Sequence, residues 1–270
     1  MTSAVTVGAT AAPRTAVRRR SDRVVPDQHG AWAFLALPVA LAVTHTGWFV
    51  LLVPTLLAWV AAYPLSWAAT GRLTARRPER FDRALVTWAP VALLTGTPVL
   101  VLTPWLVWVL FAYGGLWLVN LSFARRRRER SLLNDLVLVA ECTLMVPVTL
   151  GIAAGDRDWS PPVRTFDAGT VLLVVMCAVA LTGSVLHVKS LIRERNDPRF
   201  ADVSSLFSAA GAVLVAVVAE ATGGSAWAVL PFVVLAVRTW LARGRRWRPA
   251  SIGMVELAGL ALVVVGAALS

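Results

Sequence analysis

The chain has 270 residues, of which 57% are hydrophobic and only 15% are charged. Soluble domains carry roughly 25% charged residues and fewer apolar ones, so this composition excludes an ordinary soluble protein. A formal net charge of +11 would indicate nucleic-acid binding in a soluble chain. Here the arginines lie between long apolar blocks, as in the loops that orient membrane proteins, and we expect no nucleic-acid partner.

The first 25 residues are polar and contain several arginines, without the long apolar core of a signal peptide. We expect them to form a disordered, basic cytoplasmic tail, followed by a single membrane domain over residues 26–270. The apolar blocks of this domain can cross a hydrocarbon core of about 30 Å as helices, and they lack the alternation of barrel strands. The nine predicted spans are Gly30–Thr46, Trp48–Thr70, Ala84–Leu102, Pro104–Ala124, Ser131–Ala154, Ala168–Val188, Ala201–Thr222, Ser225–Leu241 and Ile252–Ser270.

The distribution of basic residues supports this count. All of them except Arg157, Arg164 and Arg238 lie in the tail or in the connectors that follow spans two, four, six and eight. Basic loops remain in the cytoplasm, so the alternation predicts a cytoplasmic N-terminus and an external C-terminus. We expect a multi-pass protein of the bacterial cell (inner) membrane.

Polar residues inside or next to the spans are candidates for function, because burying them in lipid is costly. Most of them fall near the predicted cytoplasmic side and suggest a pocket open to that side. The alternative is that they are polar helix ends or ion pairs, and Arg238 with Glu256 could form such a pair. The candidate ligand-binding residues are His29, Asn120, Asn134, Asp135, His187, Lys189, Arg193, Glu194 and Glu256.

Several segments carry a family resemblance: PDQHGAWAFLALP at 26–38, AAYPL at 61–65, VNLSFARRRRERSLLNDL at 119–136, LTGSVLHVKSLIRER at 181–195 and RPASIGMVE at 248–256. In these segments the chain resembles the YwiC-like family of bacterial integral membrane proteins. The resemblance implies a membrane location and an undetermined activity.

A remoter resemblance, of fold, is to the UbiA-type prenyltransferases, which also have nine spans and bind Mg²⁺ and a prenyl diphosphate near their cytoplasmic face. Residues 192–200, IRERNDPRF, are similar in position to the second Asp motif of that family. The connector after span two has no N-D-x-x-D motif, and the second site lacks a D-x-x-x-D pair. Mg²⁺ requires oxygen ligands, usually carboxylates, so a standard Mg²⁺-dependent transferase is disfavoured.

The leading hypothesis is therefore a membrane protein whose cytoplasmic-side pocket binds an anionic lipid or a small ligand. No metal site, cofactor or catalytic residue is predicted. The alternatives are a divergent UbiA-like prenyltransferase acting on a polyprenyl substrate and a small-molecule transporter. A transporter would have broken spans at the midplane and inverted repeats, which the sequence does not display clearly.

Overall fold

A computed structural model describes residues 23–27, 29–160, 167–245 and 247–270. The predicted tail lies outside the described residues except for its last three. All regular secondary structure in the described residues is helical, which confirms the all-α prediction. The described part of the chain forms nine α-helices: α1 (His29–Thr46), α2 (Leu52–Thr74), α3 (Asp82–Leu102), α4 (Leu106–Arg125), α5 (Leu132–Ala154), α6 (Ala168–Ile192), α7 (Pro198–Thr222), α8 (Ala226–Leu241) and α9 (Pro249–Ala268). A 3₁₀ turn, Pro78–Phe81, precedes α3.

Seven of these helices are long and apolar enough to cross a membrane, and α1 and α8 are shorter apolar helices. At 1.5 Å per residue, the 16 residues of α8 extend about 24 Å. The protein is thus a multi-pass helical membrane protein. That all nine helices cross the bilayer, with the N-terminus in the cytoplasm, remains a prediction.

Polar caps fix the ends of the helices. Ser131, Asp167 and Ser225 each accept a backbone N–H in the first turn of the helix that follows them. Gly155 and Gly223 end α5 and α7 with φ angles of 75° and 73°, a left-handed conformation that glycine adopts without steric penalty. These caps satisfy backbone groups that the helices themselves leave unpaired.

Helices that follow one another in the chain run antiparallel, as contacts at both ends of the bundle indicate for α4 to α9. At one end, the final turns of α6 and α8 and the residues just beyond α8 contact the initial turns of α5, α7 and α9, through three ion pairs and the approach of His187 to Glu256. At the other end, the Trp105 indole donates to the Asp156 carbonyl at 3.2 Å, joining the start of α4 to the end of α5. We call the first end the basic face, because the arginine-rich connectors 75–81, 126–131, 193–197 and 242–248 lie there.

Helix α6 lies at the centre of the bundle and is the most buried of the candidate spans. The core around it is formed by α1, α5, α7, α8 and α9, with fully buried side chains such as Leu41, Met176 and Val263. Helices α3 and α4 pack at the edge and leave nearly all of their apolar side chains exposed or half-buried, as expected for surfaces that face lipid. Helix α2 packs mainly on α3, rather than facing α6.

Candidate functional site

The end of α6 is tied to the start of α5 by a buried ion pair. The Lys189 amine lies 2.7 Å from a carboxylate oxygen of Asp135, and it donates a hydrogen bond to the Arg130 carbonyl at 3.0 Å. The Arg193 guanidinium donates to the same carbonyl at 3.2 Å. Lys189 is only 7% exposed, so its charge depends on these two oxygens in place of water. The predicted residues Asp135, Lys189 and Arg193 therefore form one contact group, which holds the α4–α5 connector.

The backbone of this connector turns sharply where α4 ends. Arg127 N–H donates to the Ala124 carbonyl and Arg128 N–H to the Phe123 carbonyl, the two bonds of a Schellman motif. Arg127 occupies the left-handed position of the motif, with φ of 54°. Glycine is usual there, because any side chain strains the backbone in this region. The connector thus keeps an arginine where local structure favours glycine.

The rest of the connector is fixed from α5. Ser131 accepts the backbone N–H of Asn134 at 3.2 Å, and the Asn134 amide donates to the Glu129 carbonyl at 3.0 Å. Asn134, another predicted residue, thus belongs to the same group. Residues Arg127 to Ser131 line a cleft of about 400 Å³ on the basic face.

A second group lies deeper, between α6, α8 and α9. A carboxylate oxygen of Glu256 lies 2.7 Å from an Arg238 guanidinium nitrogen and 3.8 Å from His187 Nε2. The close Arg238–Glu256 contact is an ion pair whose alignment falls outside ideal hydrogen-bond geometry. His187 and Glu256 are 2% and 7% exposed. A cavity of about 20 Å³ beside them, also lined by Ser184 and Ser208, has room for about one water molecule.

A third group joins α4 to α5. The Asn120 amide donates to a Glu141 carboxylate oxygen at 2.7 Å, and the Tyr113 hydroxyl donates to the Glu141 backbone carbonyl at 2.9 Å. Tyr113 and Asn120 are seven residues apart and share one face of α4. Asn120 was among the predicted residues, whereas Glu141 was not, although an acid inside an apolar run is itself a signal.

Two predicted residues remain. His29 begins α1, but its side chain lies outside the described residues. Glu194 is exposed just beyond α6, and its backbone N–H donates to the Lys189 carbonyl at 2.8 Å. The single pocket expected from the sequence is thus divided, for the described side chains, among three contact groups.

Residues that the prediction omitted complete these groups. Arg238 is outside the predicted ligand-binding set and was named only as a possible ion-pair partner of Glu256, which is in that set. Ser184 and Ser208 carry no signal in a hydropathy pattern, because serine is common in packed membrane helices. Only their position beside the cavity connects them to Glu256.

The segment compared with the second Asp motif of prenyltransferases has a structural role here. The Asp197 carboxylate caps α7 by accepting the Arg199 backbone N–H at 2.9 Å. Among the described residues, no three His, Cys, Asp or Glu side chains lie together as a metal site.

Comparison with known proteins supports the resemblance found in the sequence. The family model described as "YwiC-like protein" matches residues 25–150, from the segment before α1 to within α5. A Bacillus subtilis (strain 168) relative named "Uncharacterized protein YwiC" is 28% identical over 235 residues, which are 87% of this chain and 92% of the relative. A Haemophilus influenzae relative named "Uncharacterized protein" is 26% identical over 152 residues, which are 56% of this chain and 60% of the relative. No solved structure matches the chain.

Proposed function

We propose that this multi-pass membrane protein, which resembles the YwiC-like family, binds the phosphate of an anionic phospholipid headgroup in the cleft of its α4–α5 connector. The observation that carries the proposal is the lining of this 400 Å³ cleft by Arg127, Arg128 and Arg130. Guanidinium groups bind phosphate oxygens through paired, charge-assisted hydrogen bonds. The cleft also contains Glu129, so its formal charge is two positive units.

The availability of these three arginines supports the proposal. Elsewhere, Arg23 pairs with Asp27, Arg72 with Asp82 and Arg243 with Asp202. Within the described residues, none of the ion pairs includes Arg127, Arg128 or Arg130. Their charges therefore remain available to an anion from outside.

The rigidity of the connector also supports it. The Arg130 carbonyl is held by Lys189 and Arg193 from α6, and Asn134 holds the Glu129 carbonyl from α5. A preformed site loses less conformational entropy when its ligand binds. Lys189 itself is occupied by Asp135, so we assign it to positioning the connector rather than to contact with the phosphate.

The backbone of Arg127 adds a further argument. A non-glycine residue in a sparsely populated conformation costs about 1–3 kcal/mol, and such residues cluster at functional sites. A function of the Arg127 side chain, which glycine lacks, explains why a strained arginine stands at this position. Contact with the headgroup phosphate is such a function at this membrane face.

The experiment is native mass spectrometry of the purified full chain, with phosphatidylglycerol titrated in detergent. We expect Arg127→Gln combined with Arg128→Gln to weaken binding at least about tenfold, since one charge-assisted hydrogen bond contributes about 1.5–3 kcal/mol. Arg127→Gly should weaken binding as well, while leaving the protein as stable as before or more so. Lys189→Ala should also weaken binding, because it releases the Arg130 carbonyl.

The matched control is Arg76→Gln combined with Arg77→Gln, which removes the same charge from the exposed α2–α3 connector. Equal weakening by the two double variants would contradict the proposal, because it would indicate attraction by net charge alone. Competition with inorganic phosphate distinguishes the two sources of the anion. If phosphate displaces phosphatidylglycerol at low concentration, the site binds a soluble anion and the lipid assignment is wrong.

A further inference from the structure

Glu141 is an acid placed well inside the apolar part of the bundle. It lies nine residues beyond the start of α5, so its backbone is about 14 Å along the axis of a helix about 35 Å long. Its carboxylate accepts a hydrogen bond from the Asn120 amide at 2.7 Å. An ionised side chain at such a depth costs several kcal/mol unless a partner compensates it. The groups that face Glu141 therefore determine whether its carboxyl is ionised or protonated.

Among the residues that the structure describes, no ion pair joins Glu141 to a cation. Its neighbours on α4 are the neutral Tyr113 and Asn120. The other titratable side chains around this part of α5 are Cys142 on the same helix, Tyr63 on α2 and Cys177 on α6. Cysteine and tyrosine side chains are ordinarily neutral at pH 7. Helix α1, which also packs on α5, carries histidines only near its two ends.

The contacts that exist are compatible with both protonation states. A carboxylate accepts the Asn120 hydrogen bond, and a carboxylic acid also accepts it through its carbonyl oxygen while keeping its own proton to donate. The Tyr113 hydrogen bond goes to the backbone carbonyl, so it holds the helices together whatever the state of the side chain. The α4–α5 contact thus survives the gain or loss of one proton.

We propose that Glu141 is a proton-binding site within the membrane domain, which takes up and releases one proton while α4 and α5 remain in contact. The ligand is a proton rather than a lipid or a metal ion, because one carboxylate with an amide and a tyrosine does not provide the ligand number of a metal site. This site lies on different helices from the Arg238–Glu256 pair, and it does not depend on the anion-binding cleft.

The first test uses dicyclohexylcarbodiimide, an apolar reagent, on the full chain in liposomes. A protonated carboxyl adds across one C=N bond of the reagent: its oxygen bonds to the central carbon and its proton moves to nitrogen. The adduct then rearranges to a stable N-acylurea that retains every atom of both reactants. We expect peptide mass spectrometry to find the adduct on Glu141, forming about tenfold more slowly for each pH unit once the proton is largely released.

One variant and one internal control make this test specific. Glu141→Gln should abolish the adduct, while Glu256 in the same protein should stay unmodified, because its carboxylate lies 2.7 Å from the Arg238 guanidinium in a buried ion pair. Labelling of Glu141 at a rate independent of pH would overturn the proposal, because the proton would then not exchange. Labelling of Glu256 in preference to Glu141 would overturn it too.

A second measurement does not depend on access of the reagent. Infrared difference spectra of the full chain between acidic and alkaline pH should contain a protonated-carboxyl C=O band that Glu141→Gln removes and Glu256→Gln retains. If the band is the same in wild type and Glu141→Gln, the proposal is wrong, even where the carbodiimide fails to react.

Discussion

Glu141 and Glu256 are both acids inside apolar helices, but the two regions of the molecule treat them differently. Glu256 lies in the core, 2.7 Å from Arg238 and 3.8 Å from His187. Glu141 lies between α5 and the edge helix α4, where a neutral amide is its hydrogen-bond partner. The core thus neutralises an acid with a fixed cation, whereas the edge leaves the acid to be neutralised by a proton. The comparison teaches that depth in the bundle alone does not determine the state of a carboxylate.

The largest expected effect is that of breaking the core pair. Glu256→Gln leaves the Arg238 charge buried without a counter-charge, which should lower the free energy of unfolding by about 3–5 kcal/mol. Glu141→Gln keeps an oxygen that accepts from Asn120, so it should change that free energy by less than about 1 kcal/mol. Unfolding in mixed micelles with increasing denaturing detergent measures both.

A double variant sharpens this result. Glu256→Gln combined with Arg238→Met removes both charges and should recover much of the lost stability. Equal destabilisation by the single variants Glu256→Gln and Glu141→Gln would contradict the distinction between the two acids, because both would then behave as ion-paired groups.

The second effect concerns packing in the same two regions. Gly266→Ala in α9 would place a Cβ 2.7 Å from the Trp227 carbonyl oxygen and 2.5 Å from Pro231 Cγ, so α8 would have to move. Overpacking of this kind costs about 1–3 kcal/mol. Gly114→Ala in α4 meets nothing within 4 Å and should not destabilise the protein. Thermal unfolding of the two variants in the same detergent compares core and edge directly, and an equal loss in both would contradict the division.

The third prediction tests the neutral partner of Glu141. Asn120→Leu removes a hydrogen bond and should cost about 1 kcal/mol, the value typical of a bond between neutral groups in membrane proteins. A cost near 3 kcal/mol would indicate a permanently ionised Glu141 and would contradict the edge assignment. Asn120→Asp provides the control, because a second acid beside Glu141 should restore a hydrogen bond only at acidic pH.

The smallest expected effect is that of replacing Asp167, which lies just before α6 and serves as a reference outside the helices. Asp167 caps α6, and the hydrogen bond from the Thr170 backbone lowers the pKa of its carboxyl below the usual 3.8. A lowered pKa in the folded state adds stability above pH 4 that disappears as the pH falls through the folded value. Asp167→Asn keeps a neutral cap, so we expect it to lower the melting temperature slightly at pH 7 and by less at pH 3. A difference that persists unchanged at pH 3 would exclude this origin.

Hydropathy predicted the helices well, because span length is imposed by the thickness of the bilayer. All nine predicted segments contain a helix, and α5 was placed within one residue at its start. The prediction ended span six at Val188, where the apolar block ends, but α6 continues to Ile192. The extra turn is stable because Asp135 and the Arg130 carbonyl satisfy Lys189, and a hydropathy profile contains no such long-range contact.

The candidate sites were less predictable, because the hydrophobicity of the helices does not determine which of them become neighbours in the bundle. The Arg238–Glu256 pair was foreseen as a possibility, since α8 and α9 are consecutive. The approach of His187 to Glu256 depends on α6 packing against α9, which lies more than fifty residues further along the chain. Arg127 was only one of several arginines in a run until its backbone conformation distinguished it.

The central helix has one more property that follows from the spacing of His187 and Lys189. His187 and Lys189 are two positions apart, so their side chains leave the α6 axis about 200° from each other. One contacts α9 and the other contacts α5 and the connector. Turning α6 about its axis in either direction would withdraw both side chains from their partners. The two contacts lie on opposite sides of α6 and together fix its rotation about its axis. The anion cleft and the buried Arg238–Glu256 pair therefore both depend on this one orientation of α6.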